Sequence, residues 1–149
     1  MMAAGGRSGW VSGIVFAALP DHVRSRDLGW VFPAETGFIL YPDRDTVRSP
    51  DAAFVARHRL AGPPAGFVPL PTDLAVEVLS PTGRMADTLS KVGMYLDAGV
   101  KLVWLVDPET RVINVFTPDS PPLMLKVGDT LTGDDVLQTF SLPVSELFG

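Results

Sequence analysis

Two carboxylates in this chain sit where a carboxylate is expensive. Glu77 lies in the stretch Pro71-Thr72-Asp73-Leu74-Ala75-Val76-Glu77-Val78-Leu79-Ser80-Pro81. There Leu74, Val76 and Val78 alternate with Asp73, Ala75 and Glu77, the two-residue period of a strand. Ser80-Pro81 ends the strand, since proline cannot donate to a ladder and restricts the residue before it. A glutamate between two valines of a buried strand must be paired, protonated or bound to a metal. Arg84 is one cation that could pair with it. The second acid, Asp51, follows Ser49-Pro50 and opens the apolar run Ala52-Ala53-Phe54-Val55. On turn chemistry alone Asp51 serves equally well as a turn residue that starts a strand.

An antiparallel pairing of these two runs with Asp51 opposite Glu77 puts Ala53 against Ala75 and Val55 against Asp73. Both carboxylates then share a sheet face, with opposed β-carbons roughly 4.5–5.5 Å apart. Two like charges at that distance repel, so one carboxyl holds a proton or a cation lies between them. The flanking alanines leave room for the cation.

The elements that must position these acids can be read from turn and period signals. Residues 1–7 are rich in Gly and Ala and are expected to be loose, ahead of a domain spanning 8–149. Residues 8–26 read as a helix that Pro20 either bends or interrupts by opening a second turn, with Gly29 as its stop. Residues 10–19, after Arg7, also carry faint features of a secretory leader. Trp30-Val31-Phe32 and Gly37-Phe38-Ile39-Leu40-Tyr41 are bounded by Pro33 and Pro42 and read as a hairpin. Asp43-Arg44-Asp45 is a charged turn, and residues 61–69 are a Gly/Pro loop. After the Glu77 strand, Ser80 reads as an N-cap with Pro81 at the first helical position. The helix proper (84–98) closes at Gly99 and carries a core stripe of Met85, Leu89, Val92 and Leu96. Residues 101–106 are almost wholly apolar, as a strand covered on both faces would be. Asp107-Pro108-Glu109-Thr110 is a turn, 111–116 a returning strand, 118–122 a loop, 123–125 an edge strand and 143–148 a helical turn. Segments 73–79, 84–98 and 101–106 form a candidate crossover unit, and the whole reads as α/β around one mixed sheet.

Composition narrows the class. The chain has 149 residues, 46% hydrophobic and 19% charged, enough for one domain with a full core. Its formal net charge of −5 provides no global field attracting nucleic acid. It has no cysteine, hence no disulfides or thiolate zinc site. No apolar run approaches the ~18 residues of a membrane span, and the expected location is the cytoplasm.

Taken together, several segments resemble a known family. They are Ser49-Pro50-Asp51; Glu77-Val78-Leu79-Ser80-Pro81; Asp87, Lys91 and Tyr95; and Gly99-Val100-Lys101-Leu102-Val103-Trp104-Leu105-Val106-Asp107-Pro108. The combination resembles the bacterial putative restriction endonuclease family, a branch of the nucleases with the PD-(D/E)xK motif, from about residue 8 onward. The resemblance implies a restriction-endonuclease-like fold and DNA as substrate. It also implies a Mg2+ or Mn2+ ion held by Asp51 and Glu77, with Lys91 as catalytic lysine. The common motif has lysine two residues after the acid; here that residue is Leu79, and relatives of this branch take the lysine from the following helix. Family members also begin with a further strand pair and carry a histidine near the first helix. This sequence has Ser8 and Gly9 there, so it either starts late or is a shortened and inactive copy.

Each residue also has a plainer reading. Helical geometry of about 100° per residue sets Asp87, Lys91 and Tyr95 on a second stripe beside the core stripe, with Tyr95 bordering the core and Lys91 farther out. Lys91 can therefore be half of a solvated Asp87–Lys91 pair, although a lysine stem can lie along the surface to reach a site. His22 and His58 read as exposed residues without metal-binding spacing. Arg44, Arg48, Arg57 and Arg59 form the one basic cluster, suited to phosphates or to solvating a loop. Trp104 reads as core. Two function classes stay open: a metal-dependent endonuclease, expected as a homodimer because cutting both strands takes two sites, and a non-catalytic nuclease-fold module that binds nucleic acid or protein. Apolar surface on 102–106 and its hairpin partner is a further reason to expect the dimer.

Overall fold

Leu74–Val78 is a central strand, and the molecule is built outward from it. The computed structural model describes residues 4–149. In chain order the elements are α1 (Gly6–Ala17), α2 (Pro20–Ser25), β1 (Gly29–Pro33), β2 (Phe38–Tyr41), β3 (Thr46–Arg48), β4 (Ala52–Ala56) and β5 (Leu74–Val78). There follow α3 (Met85–Asp97), β6 (Leu102–Asp107), β7 (Val112–Thr117), β8 (Ser120–Lys126), β9 (Thr130–Gly133), β10 (Leu137–Pro143) and α4 (Ser145–Phe148). Of the segment 1–7 expected to be loose, residues 1–3 lie outside the described residues, and α1 begins at Gly6.

Six strands form one sheet in the order β1-β4-β5-β6-β7-β8. β5 and β6 are parallel, and the other neighbours are antiparallel. A parallel pair needs a crossover, and α3 supplies it, as the spacing of 73–79, 84–98 and 101–106 predicts. The fold is therefore α/β around a mixed sheet flanked by helices.

Strand alternation divides the core in two. Ala52, Phe54, Leu74, Val76, Leu102, Trp104 and Val106 point to one face, where they meet Val11, Val15 and Leu19 of the N-terminal segment, Leu131 and Leu137 of the β9–β10 hairpin, and Leu147 of α4. Ala53, Val55, Ala75 and Val103 point to the other face, against Phe38 and Leu40 of β2 and Val92 and Tyr95 of α3. Trp104 is core, as expected, and residues 102–106 are buried throughout. Those residues therefore leave no apolar surface for a partner.

Several expectations need correction. Segment 8–26 is two helices, so of the two roles open to Pro20 it takes the second: α1 ends at Ala17, and Pro20 opens α2 at a position where its missing N–H costs nothing. Gly29 does not stop that helix. It opens β1 with φ of 152°, and a β-carbon there would run into the Val55 carbonyl. β1 and β2 are not a hairpin. The tight turn over Pro42–Arg44, with Asp45 left-handed at φ 50°, folds β2 back on β3, and β1 pairs with β4. Ser80 caps no helix. Gly83 N–H bonds the Ser80 carbonyl in a separate turn, and α3 starts at Met85 after Arg84. The buried residues of α3 are Val92 and Tyr95, whereas Met85 and Leu89 are exposed. The edge strand is longer than 123–125, running Ser120–Lys126, and the β9–β10 hairpin was not anticipated.

Candidate active site

The pairing of β4 with β5 decides where the acids go. Its register is Ala52↔Val76, Ala53↔Ala75 and Phe54↔Leu74. Just ahead of that ladder the Asp51 N–H bonds the Val76 carbonyl at 2.8 Å, which ties Asp51 to the Glu77 end of β5. By the same alternation that turns Ala75 toward α3, Glu77 lies on the α3 side of the sheet, and Asp51 is near enough for its charge to act on both Glu77 and Tyr95.

Glu77 is only 6% exposed. Its partners come from α3 rather than from Arg84, which is exposed. Lys91 Nζ lies 3.4 Å from Glu77 Oε1, and the Tyr95 hydroxyl donates to Glu77 Oε2 at 2.7 Å. Lys91 and Tyr95 are four residues apart and so share a helix face. The Lys91 side chain is 47% exposed; its stem lies along the surface and its ammonium turns inward. Its ion pair is with Glu77 and not with Asp87, which corrects the solvated-pair reading. Asp51 Oδ2 accepts the Val78 N–H at 2.7 Å.

These surroundings decide the protonation balance. Burial pushes the Glu77 carboxyl above the ordinary carboxylate range; Lys91 pulls it down, and the Asp51 charge pushes it up again. Burial likewise raises Asp51, against the Val78 N–H and Lys91. Tyr95 is raised by burial and by the Glu77 charge, so its phenol keeps its proton and donates.

The remaining polar groups are placed elsewhere. Arg57 pairs with Asp27, Arg59 with Asp73 at 2.9 Å, and the Arg44 guanidinium lies 3.9 Å from the Tyr41 ring centroid. Of this cluster Arg59 is drawn into the fold by the buried Asp73, whereas Arg44 and Arg57 stay at the surface. Arg48 bonds the Val47 carbonyl and lies near enough to Tyr95 for its charge to act on it. His22 Nε2 lies 3.0 Å from the Gln138 carbonyl, and His58 is exposed. Among the described residues no three His, Cys, Asp or Glu side chains gather as a metal cluster. A cleft of about 780 Å³ opens beside Asp73 and Lys101, toward the other end of β5 from Glu77.

Asp51 and Glu77 nevertheless suit a hard divalent cation. They are oxygen donors with raised carboxyls; among the described residues Oδ1 of Asp51 has no hydrogen-bond partner, and Oε1 of Glu77 has only the 3.4 Å contact from Lys91. Two features escaped the sequence reading. Tyr95 completes the coordination of Glu77, and its spacing of four from Lys91 was the available signal. Ser8, at the position where a family histidine was sought, is buried and donates to the Leu79 carbonyl at 3.3 Å, beside the same strand end.

The pattern of the family described as putative restriction endonuclease, Uma2, matches residues 1–145. The chain belongs to this putative restriction endonuclease family. A comparison with curated proteins returns no match. Among solved structures, the chain is similar to a putative nuclease belonging to DUF820 from Anabaena variabilis, with a TM-score of 0.88 and 17% identity over 99% of this chain and 83% of that one. At that identity the likeness establishes the fold: the chain has the architecture of that structure.

Proposed function

We propose that the chain is a metal-dependent endonuclease hydrolysing phosphodiester bonds in DNA, with Asp51, Glu77 and Lys91 as its catalytic residues. The observation that carries this reading is the approach of Lys91 Nζ to within 3.4 Å of a buried Glu77 whose charge is coupled to that of Asp51. Membership of the putative restriction endonuclease family supports it. Asp51 and Glu77, with the Val78 carbonyl as a third oxygen, would hold Mg2+ or Mn2+, which when bound activates water and relieves charge on the phosphoryl oxygens.

The chain's own residues have separate tasks. Asp51 and Glu77 bring two carboxylates to one end of the β4–β5 pair, close enough for their charges to interact. Lys91 brings a mobile ammonium to the site edge, where it can stabilise charge developing on a phosphate or orient the attacking water. This is how the chain manages with Leu79 in the usual lysine position: the cation arrives from α3 instead of from β5. A plasmid-nicking assay with and without Mg2+ or Mn2+ tests the reading, using Glu77→Gln as the inactive control. Metal-dependent nicking lost in that variant supports it; equal nicking by both proteins, or none by either, sinks it.

The second reading is a non-catalytic module of the same fold. The net charge of −5 and the pairing of Arg59 with the buried Asp73 favour it. It predicts no nicking under any metal condition. For the enzyme reading we also propose a homodimer, since two-strand cleavage needs two sites. Apolar surface that could serve it includes Leu123 and Met124 on the edge strand β8, 59% and 63% exposed.

A further inference from the structure

We propose that Tyr95 is a positioning residue that fixes the rotation of the Glu77 carboxylate and so determines which oxygen is offered to the cation. The inference rests on the metal-site reading above. The terminal torsion of a glutamate is soft and roughly two-fold, so burial of Glu77 does not by itself aim its oxygens. A hydrogen bond to one oxygen does. Tyr95 is 2% exposed and packed in the core formed by Val92, Val100 and Val103, so its ring has no room to swing away. Its hydroxyl holds Oε2 at 2.7 Å. The opposite oxygen, Oε1, meets only the longer 3.4 Å contact from Lys91, whose side chain is 47% exposed.

The two partners of Glu77 are therefore unequal. The phenol is rigid, buried and uncharged. The ammonium is on a flexible stem at the surface and can leave Oε1 when a cation or a phosphate draws near. A tyrosine that merely satisfied itself in the core would need a polar partner, but any backbone carbonyl would serve. Here the partner is one of the two carboxylates that the site depends on. Groups that hold a metal-binding side chain in place from behind commonly influence affinity by roughly 10–100-fold.

The test is calorimetric titration of Mn2+ into wild type, Tyr95→Phe and Tyr41→Phe. Tyr41 also sends its hydroxyl to α3, at the Met94 carbonyl and Asp97, away from Glu77. Tyr95→Phe keeps the ring and removes only the hydroxyl. We expect it to weaken Mn2+ binding roughly 10-fold or more, with kcat for nicking reduced and KM for DNA unchanged, while Tyr41→Phe binds Mn2+ as wild type does. Equal affinity in wild type and Tyr95→Phe overturns the inference and leaves the metal site standing. No Mn2+ binding by wild type overturns both. If Tyr95→Phe does not fold, the hydroxyl proton of wild-type Tyr95 decides by NMR. A hydrogen-bonded resonance that survives saturation with Mg2+ supports the inference, and its loss on saturation overturns it.

Discussion

Asp51 accepts the Val78 N–H at 2.7 Å, one residue beyond Glu77 on the neighbouring strand. This bond ties the start of β4 to the end of β5 and holds the two acids in one register. It also means that Asp51 serves the fold and the proposed chemistry with the same carboxylate. The two roles separate by substitution. Asp51→Asn keeps an acceptor for Val78 and is expected to melt at or above the wild-type temperature. Asp51→Ala leaves that N–H without a partner and is expected to lose about 1–3 kcal/mol in urea denaturation. Both are expected to lose metal-dependent nicking. An Asp51→Asn protein as unstable as Asp51→Ala would show that charge, not acceptance of the Val78 N–H, is what the fold uses.

A second expectation concerns metal and stability together. A cation that binds only the folded chain raises the melting temperature by mass action. Wild type is expected to melt higher with added Mg2+ or Mn2+. Glu77→Gln removes one of two neighbouring charges at nearly constant shape, so it should equal or exceed wild type in metal-free buffer and show no metal-dependent rise. Lys91→Ala should keep the rise and lose only turnover, because the acids remain. Thermal melts of the three proteins check this. A Glu77→Gln protein that melts lower without metal, together with a wild type indifferent to metal, would make Glu77 a structural partner of Lys91 and favour the non-catalytic reading.

The raised carboxyls of Asp51 and Glu77 fix the sign of a pH effect. In the unfolded chain both titrate near the ordinary range, about 4. In the folded, metal-free protein they hold protons to higher pH. The folded state thus binds more protons over that interval, and stability must fall as pH rises through it. The contribution is fully present below the ordinary carboxylate value and is lost as pH climbs through the raised folded values. Other groups titrate too, so the measurable quantity is a difference. The stability of Asp51→Asn/Glu77→Gln minus that of wild type should grow from pH 4 toward neutrality, and saturating Mg2+ should abolish wild type's decline. A difference that stays flat with pH would contradict the raised values.

The exposed edge gives a prediction about assembly. β8 has one neighbour, β7, and leaves its other side unpaired, with Leu123 and Met124 outside the core. Pro121 and Pro122 blunt one half of that edge, since neither can donate. Pairing of two copies is therefore expected along 123–126, and Leu123→Glu/Met124→Glu should convert a dimer to a monomer without lowering the melting temperature of the single chain. Light scattering at micromolar concentration checks it; a wild-type monomer would remove the dimer from the proposal.

The sequence by itself determined the central part of the fold and the identity of the acids. The alternation around Glu77, the apolar run 101–106 and the helix between them suffice for a parallel pair with its crossover, because strand period and connection rules act locally. The same parity argument placed Ala53 opposite Ala75, and so the two acids together, since a one-residue slip would have turned every apolar residue of a buried strand outward. Tertiary structure decided what those local rules leave open. β1 passed over its neighbour β2 in favour of β4, because pairing partners are chosen by which faces bury together, not by adjacency in the chain. Met85 and Leu89 were assigned to the core by period alone, yet helical period says which residues share a face and not how much of that face the sheet covers. Lys91 had two possible partners at the sequence level, Asp87 in its own helix and Glu77 across the core. A lysine stem reaches either, and only the packing of α3 over β5 brought Glu77 close and sealed Tyr95 beside it.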